Sequence, residues 1–257
     1  MIDLTQYQEF LPVISGFLGG ATSAGLFAGP IQTLQDWWYV NYGHNISDQK
    51  ALLLAKQEAN VEKLKIDILK EVSTIPPENV QEPSMKILGP AIEASRYYID
   101  EEELRNMFAK IIASSLDNRM SDVVHSSFVE IIKQLDVLDA MLLSYLKRNN
   151  HGVQSSIPTM KMVVNGENGT TTVFPLIFLS EEFCDFHQNA VSLINLDRLG
   201  IITLREGVFL TDEAHYDFIK HHETISYILT EHPEMVLEKS CFSLTDFGQN
   251  FINACVV

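Results

Sequence analysis

The sequence predicts a mainly α fold, with an N-terminal helical region followed by a winged-helix-like α+β region. Three observations carry that expectation. Apolar residues recur at helical spacing through most of residues 47–147. Runs of β-branched and aromatic residues, separated by glycine-containing turns, are confined to the chain after Asn150. There the order helix, Leu-Gly, strand, turn, strand and closing helix is that of a winged-helix module. The chain has 257 residues, 46% of them hydrophobic and 20% charged, which is enough apolar material for a sizeable core. Texture divides it into an apolar and aromatic segment at 1–45, a helical domain at 46–148 and a winged-helix-like domain at 149–257.

The first segment is the least ordinary. No side chain from Phe10 to Pro30 carries a charge, a length in the range that crosses a bilayer as a helix, about 17–25 residues. Its flanks oppose a simple span, because Asp3 and Glu9 precede it and the first lysine is Lys50. The basic start of a secretory signal is missing. Gly16 and Gly20, then Gly25 and Gly29, have the spacing that lets helices approach closely. Trp37 and Trp38 follow, residues that favour a boundary between apolar and wet surroundings. Phe10, Leu11, Ile14, Phe17, Leu18, Leu26, Phe27, Trp37 and Trp38 are therefore the candidates for contact with a membrane or with another copy of the chain. Packing into the chain's own core is the competing reading.

Leu54, Val61, Leu64, Ile68 and Val72 mark one face of a helix over 47–72, with Ser47 or Asp48 as its cap. It stops at Pro76-Pro77, where a proline-rich connector begins. Pro90 suits the first turn of a helix through Ala91–Ile99. Asp100 and Glu103 have capping-box spacing ahead of the apolar face Leu104, Phe108, Ile111, Ile112 and Leu116. A further helix is expected from Ser126 or Ser127 to about Lys147. Met160–Val164 and Thr171–Phe178 read as a hairpin about Asn165–Gly169. A helix over Ala190–Leu199 comes next, then a wing of Ile201–Leu204 and Val208–Leu210 turned at Glu206-Gly207. A helix over Glu213–Leu229, a strand over Val236–Phe242 and a last helix capped by Thr245 complete the order.

Catalytic fingerprints of the common kinds are missing: no phosphate loop, no Gly-x-Gly-x-x-Gly, no Gly-x-Ser-x-Gly and no His-Glu-x-x-His. Cys184, Cys241 and Cys255 are odd in number and far apart, which fits a reduced chain and not a zinc knuckle or a disulfide framework. His215 and His222 would lie about 10.5 Å apart along one helix, too far to share an ion unaided. Glu93, Ser114, Ser115, Asp117 and His125 are the residues an enzyme site in the central helices would draw on. No catalytic residue, metal or cofactor is assigned. Charge weighs against nucleic acid: 18 Lys and Arg face 34 Asp and Glu, a net of −16. Residues 151–257 hold five bases against fourteen acids, and the candidate recognition helix offers only Asn195 and Arg198 besides Asn189.

The block from Ile75-Pro76-Pro77-Glu78-Asn79 through Gly89-Pro90-Ala91, Tyr97-Tyr98-Ile99, the Glu101–Ile112 run and Phe128–Leu135 resembles the Abi-alpha family. So do the phrases Leu196–Ile202 and Leu244-Thr245-Asp246-Phe247-Gly248, followed by Phe251 and Cys255. The similarity covers roughly residues 29–257. It implies a cytoplasmic bacterial protein of abortive infection against phage, and it supplies no catalytic residues; the apolar N-terminus adds peripheral or inner-membrane association as an alternative location. The expected mode of action is non-enzymatic, through a protein partner (a second copy or a phage component) or through membrane association of the apolar N-terminus. An enzyme built on the central helices and a winged-helix transcriptional regulator are the alternatives.

Overall fold

A computed structural model describes residues 47–149, 155–167, 169–205 and 207–257, with residues 47–58 described as helix only. The described chain forms two compact units, one running to Val137 and taking in Asn253–Val257, the other spanning Leu138–Ile252.

In the first unit, helix α1 (Ser47–Val72) buries Val61, Leu64, Ile68 and Val72, a 3-4-4 stripe of the kind a core-facing helix presents. It lies against α3 (Glu102–Ser115), whose Arg105 and Lys110 reach Asp67 at 2.8 Å and Glu71 at 2.7 Å. Between them, α2 (Met85–Ser95) starts at Met85, so Pro90 falls inside the helix and not in its first turn. Asp100 does not cap α3. It accepts a hydrogen bond from Asn60 of α1, and Glu101 takes the N-cap position. The helix expected over 126–147 is two helices, α4 (Ser127–Ile132) in this unit and α5 (Val137–Arg148), with which the second unit begins. At the break, Gln134 and Leu135 bond back only three residues, to Ile131 at 2.8 Å and Ile132 at 3.2 Å, which tightens the chain and ends the α-helical ladder.

The second unit is built on one antiparallel sheet in the order β2-β1-β4-β3. Strands β1 (Ser156–Gly166) and β2 (Gly169–Ile177) form a hairpin closed at the Gly166–Gly169 pair, where Gly169 holds a φ of 137°. Helix α6 (Phe186–Arg198) is capped by Asp185, whose carboxylate accepts from the amides of His187 and Gln188. Strand β3 (Ile202–Arg205) follows the tight turn at Gly200, then a short 3-10 turn at Glu213–Tyr216, α7 (Asp217–Lys220), α8 (Glu223–Glu231), β4 (Met235–Leu244) and α9 (Asp246–Cys255). One face of the sheet buries Met160, Met162 and Ile177 with Tyr216, Ile219 and Ile225.

The fold is therefore mixed α+β and not mainly α with a winged-helix module. Two physical reasons account for the difference. The strands run to 11, 9, 4 and 10 residues and join one sheet, while the apolar runs at 126–147 and 213–229 are interrupted helices. The expected wing also does not form, because β3 pairs with β4 (Ile202 opposite Leu244, Arg205 opposite Cys241) and Val208–Leu210 is not a strand.

Candidate functional site

β1 pairs with β4 along the whole of Met235–Ser243, but the described pairing on the opposite edge of β4 ends where Arg205 meets Cys241. Met235–Ser240 is thus left without a strand neighbour on that side among the described residues. The Tyr216 hydroxyl donates to the carbonyl of Ser240 at 3.2 Å, so the Ser240 backbone points away from β1. Alternation along an antiparallel strand turns the N–H and C=O of Glu238 and Val236 the same way.

A cavity of about 830 Å³ opens at this edge. Thr159 and Lys161 of β1 stand opposite Ser240 and Glu238 of β4 and form its floor. Met160 stands opposite Lys239, which places Lys239 on the other face of the sheet. Thr172, Pro175 and Leu176 of β2 line it too, so the cavity extends from this edge across β1 to β2. Its apolar rim includes Ile194 of α6 and Phe209, each 51% exposed.

The charge here is opposite in sign to that of the surrounding chain. Lys161, Arg205 and Lys239 line the cavity, with Glu238 as the one acid among the described lining residues. Lys161 pairs with Glu238 at 2.8 Å. Lys239 and Lys220 share the carboxylate of Glu213, and their two hydrogen bonds hold it below the usual carboxylate range. Arg205 is exposed and donates from Nε to Ser243 Oγ at 3.2 Å, and it has no carboxylate partner among the described residues. Beneath the edge, Tyr216 is fully buried and its hydroxyl accepts from the Leu210 amide at 2.8 Å; burial pushes its pKa up. The arrangement can bind an anionic group beside the backbone of Val236 and Glu238, which has no strand partner on this side among the described residues.

The described residues at this edge are not those singled out from the sequence. Phe10, Leu11, Ile14, Phe17, Leu18, Leu26, Phe27, Trp37 and Trp38 fall outside the described residues. No helix among the described residues is long and apolar enough to cross a membrane. The acids and hydroxyls of the central helices do not converge: Ser114 donates to the Ala254 carbonyl, Ser115 to that of Ile112, Asp117 binds Arg119, and His125 meets Ser127. His221 bonds the Asp217 carbonyl, and His232 sits 3.4 Å from Glu234. No group of three or more His, Cys, Asp or Glu among the described residues can hold a metal ion. Lys161, Arg205 and Lys239 do not stand out in the sequence, because a count of bases over this half does not place them on one edge. A usable signal existed, since two of the three sit within expected strands.

The sequence model for abortive infection alpha matches residues 56–255. No curated protein and no solved structure matches the chain.

Proposed function

Since the chain belongs to the abortive infection alpha family, we propose that it serves in bacterial defence against phage and ends an infection through contacts with protein rather than through chemistry on a substrate. The observation that carries the second half of this reading is the incompletely covered edge of β4 beside exposed Ile194, Val208 and Phe209. An accessible strand edge is a template for another chain, and natural sheets usually cover or charge it. Exposed large apolar side chains beside it add the buried area that a protein contact needs. The uncharged Phe10–Pro30 stretch supports a second contact, with a membrane or another copy of the chain.

The test is phage challenge of cells that make the full chain, beside empty-vector cells and cells making a chain without residues 1–30. The full chain is expected to cut plating on at least one phage of a panel by a factor on the order of a hundred, with infected cells dying before progeny appear. Equal plating on every phage, or infected cells that recover and divide, contradicts the role. Membrane fractionation of the same cells tests the N-terminal contact: the full chain should sediment with membranes and the shortened one should not. Identical partitioning removes the membrane contact from the account.

A further inference from the structure

The geometry points to an extended, acidic peptide strand as the occupant of the β4 edge, a proposal that rests on the protein-contact reading above. Two independent features define this occupant. The first is the backbone. Val208 and Tyr216 reach the edge at Cys241 and Ser240, but among the described residues no strand continues the line of β3 beside Glu238 and Val236, where the N–H and C=O groups turn outward. An added strand lying in that line would pair with them, the mode in which main-chain hydrogen bonds supply affinity and alternate side chains supply selectivity.

The second feature is charge. Residues 151–257 carry five bases against fourteen acids, yet Lys161, Arg205 and Lys239 gather at this cavity. Their local neutralisation is incomplete. Glu238 balances Lys161, but Glu213 alone answers both Lys220 and Lys239, and Arg205 has no carboxylate among the described residues. A planar guanidinium at the end of a strand is suited to bidentate binding of a carboxylate. A Glu or Asp side chain on the added strand would meet Arg205, while apolar side chains at alternate positions would meet Ile194 and Phe209 on the rim. A basic peptide would instead face the cation surplus, and a neutral one would leave Arg205 unanswered.

The experiment uses the full chain and fluorescence anisotropy with a labelled peptide of alternating Val and Glu, blocked at both ends. Two companions are measured beside it: the same peptide with Gln for Glu, and the same peptide with alternate amides N-methylated. The Val/Glu peptide is expected to bind saturably, and each companion about tenfold more weakly or worse. Arg205→Ala should weaken the Val/Glu peptide by about the same factor and leave the Gln peptide unchanged, and Arg205→Lys should restore part of the loss. Arg198→Ala, which removes a base that does not line the cavity, should leave binding unchanged. Equal affinity for the Glu and Gln peptides, no effect of N-methylation, or no saturable binding up to about 1 mM overturns the inference. Circular dichroism of each variant separates lost binding from lost fold. If peptide binding fails while phage exclusion persists, this inference falls and the wider reading stands. If peptide binding holds while exclusion is absent, the wider reading falls.

Discussion

At the scale of single residues, two phrases of the sequence acquire a physical reason. Leu199-Gly200-Ile201 and Leu244-Thr245-Asp246-Phe247-Gly248 meet in space. Thr245 Oγ1 donates to the Gly200 carbonyl at 2.6 Å, accepts from the Gly248 amide at 2.8 Å, and so caps α9, as the sequence predicts. A Cβ on Gly248 would come within 1.9 Å of the Ile201 carbonyl oxygen, which is backbone and cannot step aside. Gly248→Ala is expected to cost about 1–3 kcal/mol in urea unfolding, as overpacking does; an unchanged midpoint would show that α9 shifts freely. Asp117 gives a pH dependence. Its carboxylate is held below the usual range chiefly by its hydrogen bond from Arg119, so its contribution to stability is complete above the unfolded value of about 4 and is lost as pH falls through the lower folded value. Because Arg119 is half exposed, Asp117→Asn should cost only about 1 kcal/mol at neutral pH. The gap between wild type and variant should close in acid below about pH 4. A gap that stays constant from neutral pH into acid would rule this out.

At the scale of elements, periodicity located most helices and strands but not their interruptions. The stripe Val61, Leu64, Ile68 and Val72 was legible because one helix face carries the burial. The breaks at 133–136 and within 213–231 contain no proline or glycine, so an apolar run continues across each of them. Pairing was harder still. Ile201–Leu204 and Val208–Leu210 looked like neighbours because they are close in sequence, yet β3 pairs with β4, about forty residues on. The same is true of polar contacts between elements. Asp139 of α5 is 2% exposed and accepts from Ser192 and, at 2.7 Å, from Asn195 of α6. Nothing in the spacing of either helix announces the other. Asp139→Ala would leave buried Ser192 and half-buried Asn195 without this acceptor, and a loss of about 1–3 kcal/mol is expected in chemical denaturation. A loss below about 0.5 kcal/mol would mean that the network adds nothing to stability.

At the scale of the whole molecule, a net charge of −16 describes the average surface and hides an exception. Lys161, Arg205 and Lys239 are separated by more than thirty residues at each step, and only the sheet order β2-β1-β4-β3 brings them to one edge. That is why the composition argument against nucleic acid could be made from the sequence and the candidate site could not. The measurement that bears most directly on the account is phage plating on cells making the full chain with Ile194→Asp and Phe209→Asp together. Both side chains are exposed, so the double variant should keep the circular dichroism spectrum and amount of the parent. The account predicts that plating returns to the level of empty-vector cells; a folded double variant that still excludes phage as well as the parent would contradict it.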